Sequence, residues 1–230
     1  MPVPTGQDRS ADTTADRRTL WVAVAIGLVL GVFSVLADGV LPWRVLTTLG
    51  NILSPWVLAA FAAGRSARSV RAGAAAGTTT LVLGVATYYV GRTLLAGVVH
   101  GPELEALRAL PVVWLLAALV IGPVMGGAGA ASTRRRPPVL LVLAPAVALL
   151  AEACFLFLDR RPWLWALPQE LYRLADAGVF VLMVAGALWL PYRLLPAGRR
   201  RSTAYLVLLA GAVLGVAAIR LLYGVLRALA

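Results

Sequence analysis

The sequence of 230 residues contains no lysine, one histidine and one cysteine, and its 10 acidic side chains face 21 basic ones, every one an arginine. With Cys154 alone, no internal disulfide can form. With His100 alone, a His/Cys metal site has too few ligands, and only a carboxylate-rich hard-ion site remains conceivable. No metal and no cofactor is therefore expected. There is no phosphate loop, GxSxG, HExxH or CxxC, so ATPase, serine hydrolase, zincin and thiol-redox readings lack their motifs.

Charge is scarce as well, at 13% of residues, whereas 60% are hydrophobic and the mean hydropathy is +0.85. A soluble chain has apolar usage near half. Here apolar runs long enough to cross roughly 30 Å of hydrocarbon recur along the chain, which places it in the membrane class. The net charge of +11 does not point to nucleic acid, because the arginines cluster between the apolar runs. Exclusive use of Arg, with abundant Ala, Gly and Pro, reads as the coding bias of a GC-rich genome.

Hydropathy predicts an all-α polytopic transmembrane bundle of about seven helices, with spans near 19–40, 44–64, 72–92, 111–131, 138–158, 174–194 and 203–225. Residues 1–18 are polar and rich in Pro, Thr and Asp, and read as a disordered cytoplasmic segment. Residues 19–230 then form a single transmembrane domain. The run from Leu20 to Ala37 is long for a signal-peptide core and is read as an uncleaved first span.

Arginine placement sets the orientation. A cytoplasmic N-terminus puts the triplets Arg65/Arg68/Arg71, Arg134/Arg135/Arg136 and Arg199/Arg200/Arg201 on the inside, with Arg9, Arg17, Arg18 and Arg193. The outer loops and C-terminal end keep Arg44, Arg92, Arg108, Arg160, Arg161, Arg173, Arg220 and Arg227. Trp43, Trp114, Trp163 and Trp165 fall at outer span ends, and Trp21 and Trp189 near inner ones, as an aromatic belt requires; only Trp56 sits at depth. Residues 101–111 and 167–178 begin with Pro102 and Pro168 at helix-start positions, and read as connecting helices or as short amphipathic lids.

Gly27/Gly31, Gly73/Gly77, Gly122/Gly126 and Gly211/Gly215 are GxxxG pairs, which let helix backbones approach closely. They serve packing inside the chain or a homo- or hetero-oligomer. "WVLAAFAAG" (56–64) and "WLLAALVIG" (114–122) share Trp, Leu, Ala, Ala and Gly at equal spacing.

From Val139 to Leu158 the only charged residue is Glu152. A carboxylate near a helix centre costs on the order of 2–3 kcal/mol to insert, and less toward the interface. In this topology Glu152 lies roughly 9 Å below the outer end of its span, at 1.5 Å per residue. Asp38, Asn51, Tyr88, Tyr89, Asp176 and Arg220 fall at similar depth, while the inner halves are almost free of ionisable groups. Such residues usually face a bundle interior and have partners. By depth and sign, the expected partner of Glu152 is Arg220.

An outer-half pocket built from Asn51, Trp56, Tyr88, Tyr89, Glu152 and Arg220 follows, and it would bind a small amphipathic or lipid-like ligand or solute. Plainer readings stand beside it. The Glu152–Arg220 pair could simply fix helix register, Asn51 could bond a neighbouring backbone, and the tyrosines could be belt residues. Asp38 and Asp176 lie close enough to water for helix-end solvation, and Pro55 permits a kink beside Asn51.

Asn51 and Trp56, "AFAAG" (60–64), "YY" (88–89), Trp114, "GPVMGGAG" (122–129) and "AE" (151–152) together resemble an uncharacterised family of bacterial integral membrane proteins, frequent in GC-rich Gram-positive bacteria and catalogued as a domain of unknown function. The resemblance spans Leu20 to Leu158. It implies a multi-pass protein of the bacterial cell membrane, in contact with lipid, and carries no chemistry.

Besides a ligand-binding or transport protein, two readings remain open. One is a membrane-embedded acid–base enzyme of the terpene-cyclase kind, with Glu152 as acid and Asp38 or Tyr88 assisting. The other is an accessory protein packing against another membrane protein. With seven spans, a reporter fused to the C-terminus should be found outside the cell; a cytoplasmic reporter would overturn the topology.

Overall fold

Backbone amides removed from water must find partners within the chain, and a helix supplies them segment by segment. The computed structural model describes residues 6–39, 44–95, 102–134, 137–156, 170–195 and 199–229, and the regular structure among them is helical. In chain order the helices are α1 (Gly6–Gly39), α2 (Arg44–Asn51), α3 (Ser54–Arg65), α4 (Val70–Leu95), α5 (Pro102–Ser132), α6 (Val139–Cys154), α7 (Glu170–Leu194) and α8 (Arg199–Leu229). Four helical stretches among the described residues are long and apolar enough to cross a membrane: Arg17–Asp38, Pro111–Ser132, Asp176–Leu194 and Arg201–Leu221. Helix α6 is apolar but shorter.

Three boundaries differ from the sequence expectation. Helix α1 already runs through residues 6–18, the segment expected to be disordered, because extending an existing helix is far cheaper than nucleating one. The segment after Pro102 is no separate lid, since α5 continues unbroken from Pro102 through Pro111 and Pro123 to Ser132. The apolar run at 44–64 is not one kinked helix: it divides into α2 and α3. Pro55 has no N–H to donate and crowds the carbonyl of Asn51, so the helix ends there and restarts with Pro55 in its first turn. Trp43, Trp163, Trp165, His100 and Pro168 lie outside the described residues.

Helix α4 lies between α1, α3 and α5. It buries Gly73, Ala76, Gly77, Thr80, Leu81, Gly84 and Val85, a seam at three- and four-residue spacing that is almost without bulk. Its neighbours meet it with small residues of their own. A Cβ on Gly31 would come within 2.6 Å of the Gly84 carbonyl oxygen, and one on Gly77 within 2.7 Å of the Gly126 Cα. Thr80 buries its hydroxyl here by donating to the Ala23 carbonyl at 3.1 Å. In hydrocarbon, where burying apolar surface yields nothing, such close contact supplies the dispersion that holds helices together.

Helices α6, α7 and α8 form a second unit with more conventional packing, in which Leu149, Leu150, Val179, Met183, Leu208 and Ala212 share a core. Ile52, at the break between α2 and α3, inserts into that core. The Gly211/Gly215 pair faces Val147 and Ala151 of α6. All four GxxxG pairs are thus engaged within the chain.

Contacts also give helix directions. Gly27 and Gly31 meet Thr80 and Gly84, so α1 and α4 run the same way, whereas Gly73 meets Ala130 and Gly77 meets Gly122, so α4 and α5 run oppositely. On α8, Arg201 donates to the Tyr192 carbonyl and Tyr205 to the Leu188 carbonyl, which sets α7 and α8 antiparallel.

Gly126→Leu should lower the melting temperature in detergent sharply, since overpacking costs about 1–3 kcal/mol even where neighbours can shift and here the neighbours are backbone atoms of Gly73 and Gly77. Gly178→Ala, with nothing within 4 Å of the new methyl, should leave it unchanged or slightly raised. Equal melting of the two variants would contradict the close-packed seam.

Candidate functional site

Ending α2 at Asn51 removes the carbonyl partners that the next amides would have used. Leu53 opens α3 in helical conformation, with φ −72° and ψ −28°, but has no polar side chain to cap the new N-terminus. Its carbonyl accepts the Val57 N–H at 3.1 Å, so the helix has begun, while the N–H groups of Leu53 and Ser54 point backward unpaired. Glu152 of α6 fills that vacancy. Its Oε1 accepts the Leu53 N–H at 2.6 Å, and its Oε2 accepts the Ser54 N–H at 2.6 Å and the Ser54 hydroxyl.

Magnitudes explain why a carboxylate is tolerated. Two buried, unsatisfied amides would cost about 1–3 kcal/mol each, and an anion at a helix N-terminus gains roughly 0.3–2 kcal/mol more. These gains match or exceed the insertion cost of about 2–3 kcal/mol for the Glu itself. Glu152 retains 7% exposure, so nearly all of it is in protein.

The partner expected for it is therefore corrected. Glu152 is held by α3 rather than by Arg220, which is exposed on α8. Depth and opposite sign suggested the pair, but a carboxylate is satisfied as well by amides as by a cation, and a broken helix offers amides at the right place.

Beside this junction lies a cavity of about 260 Å³. Trp56, Trp114, Tyr88 and Tyr89 supply its aromatic walls, Leu81, Val85 and Ile121 much of its aliphatic wall, and Glu152 its charge. The two tyrosine rings stand edge to face, with centroids 5.0 Å apart and planes at 79°. Ala60 and Ala118, at equivalent positions of the two similar Trp segments, pack together around Leu81. The matching tryptophans thereby reach the same cavity.

Two further polar links tie remote helices together, one of them through the cavity-lining Tyr88. The Asp38 carboxylate accepts the Tyr88 hydroxyl at 2.8 Å and the Arg92 guanidinium at 2.5 Å, with Tyr88 and Arg92 one turn apart on α4. Asp176 is 2% exposed and accepts the Thr48 hydroxyl at 2.9 Å, tying α7 to α2. Neither aspartate is simply solvated at a helix end, as its position in the sequence suggested. Asp38 does not line the cavity, and Arg220 does not either, although its neighbour Ile219 does. Asn51 is described only as the last residue of α2. No group of three or more His, Cys, Asp or Glu side chains able to hold a metal ion occurs among the described residues.

Sequence reasoning missed Leu53, Ser54 and Arg92, and placed Trp114 only at the membrane surface. A signal for the first two was present: Ser-Pro inside an apolar run is a helix start, and a helix start creates orphan amides. Glu152→Ala should lower stability in detergent by about 2–5 kcal/mol, because it strips both amides at once, while Ser54→Ala should lose only about 1 kcal/mol. Equal losses in thermal unfolding would contradict the capping role.

No curated protein and no solved structure matches the chain. One family model matches residues 10–228, including the last two apolar runs, which the sequence resemblance had left out. With nearly the whole chain matched, the protein belongs to the family of unknown function DUF6518.

Proposed function

We propose that this protein crosses a bacterial cell membrane seven times, with its N-terminus in the cytoplasm, and binds a small amphipathic or lipid-like ligand in the outer half of the bilayer. The observation that carries the reading is the cavity, where aromatic and aliphatic walls meet a buried carboxylate at a helix break. Ligand sites are concave and mostly apolar, with a few convergent polar groups. Broken helices within membranes occur where they line such sites. Reversal of direction between α4 and α5 and between α7 and α8 supports the seven-pass path.

The acid–base alternative asks Glu152 to hand on a proton, with Asp38 or Tyr88 assisting. Both Glu152 oxygens already accept hydrogen bonds, and the Tyr88 hydroxyl is directed to an Asp38 that does not face the cavity. That arrangement favours holding a ligand over reacting with one. The accessory-protein alternative is weakened by the GxxxG faces, which are used inside the chain.

Native mass spectrometry of protein taken from its own membranes should find one small molecule retained per chain and lost on Trp56→Ala. An empty chain, or bulk lipid in membrane proportion, would contradict the reading. Reconstituted vesicles should take up or retain that molecule unchanged, and its conversion would favour the enzyme.

A further inference from the structure

The cavity's charge balance narrows the ligand class. Among the described residues that line it, Glu152 is the charged one. Its carboxylate accepts from two amides and a hydroxyl, none of them a cation. A helix N-terminus is equivalent to roughly +0.5 charge, so α3 offsets about half of a carboxylate. The nearby Asp38 is matched by Arg92 and contributes little net charge. What faces the cavity is a partly compensated negative charge in apolar surroundings.

Anionic ligands fit poorly here. The helix N-terminus that would attract an anion is occupied by Glu152 itself, and the Tyr88 hydroxyl donates to Asp38 instead of into the cavity. A neutral apolar ligand would fill the space but leave the residual charge unmatched. A cation answers both features of the wall. Aromatic faces carry negative quadrupole potential, and Tyr88, Tyr89, Trp56 and Trp114, the two tyrosine rings near-perpendicular, all line this one volume.

From this geometry we infer that the cavity takes a small lipophilic cation, an amine or quaternary ammonium group on an apolar body, with Glu152 as counter-charge and the four aromatic side chains as its cage. The inference rests on the ligand-binding reading above and adds the chemical class. A volume of about 260 Å³ sits at the small end for a ligand site, so the body is short.

The test uses the full chain in detergent, with tryptophan fluorescence and calorimetry reporting binding of hexyltrimethylammonium, hexanol and hexanoate. The cation should bind at least about tenfold more tightly than the alcohol, with hexanoate weakest. Glu152→Gln should erase the preference for the cation over hexanol, read as the ratio of the two affinities in the same variant. Trp114→Leu, which keeps Glu152 and its cap intact, should weaken the cation more than the alcohol. Equal binding of cation and alcohol to the wild-type chain, tighter binding of hexanoate, or equal losses in Trp114→Leu would each overturn the cation inference while leaving a ligand site in place. If none of the three binds and native preparations carry no small molecule, the binding reading falls as well.

Discussion

The carboxylate of Glu152 on the exposed amides of Leu53 and Ser54 is the contact on which the middle of this molecule depends. A proline in an apolar run forces a choice between a strained helix and a broken one. A break is open to a buried segment only if something accepts the freed N–H groups. Here the acceptor comes from a helix remote in sequence, so the local geometry of α3 and the docking of α6 are one event. The same junction seats Ile52 in the core shared by α6, α7 and α8, which joins the small-residue layer of α1, α3, α4 and α5 to the second unit.

These two units are held by different physics. Around α4, backbones approach closely enough that several glycines cannot be replaced without moving main chain. In the second unit, larger aliphatic side chains interlock in the ordinary way. The cavity lies beside the seam between α3, α4 and α5, lined by four aromatic side chains together with Leu81, Ala118 and Ile121, and Trp56 packs against the Ala60, Leu81 and Ala118 cluster. Closely packed walls and a carboxylate held by three hydrogen bonds leave the cavity open without rearrangement, which would reduce the ordering demanded by the ligand proposed above.

The polar residues at this end also divide the labour. Asp38 with Tyr88 and Arg92 joins α1 to α4, and Asp176 with Thr48 joins α7 to α2. Each ties together segments far apart in the chain. Of the three carboxylates, Glu152 is the one that also stands in the cavity wall, and Tyr88 brings the Asp38 link to that wall as well.

Hydropathy and glycine spacing by themselves determined the helical class, the positions of the apolar segments and the presence of tight interhelical seams, because period and composition are local properties of the chain. They also singled out Glu152, Trp56, Tyr88 and Tyr89 as polar or bulky residues out of keeping with an apolar run. Which groups these residues meet was decided only by tertiary structure. A carboxylate accepts hydrogen bonds from an arginine or from orphan amides with similar success, and sequence cannot tell which donor the fold will bring within 3 Å. Matching depth pointed to Arg220; the break before Pro55, placed opposite α6 by packing of the whole bundle, supplied Leu53 and Ser54 instead. Trp114 and Asp176 changed meaning for the same reason, since facing lipid, water or cavity depends on a helix's neighbours and not on its own sequence.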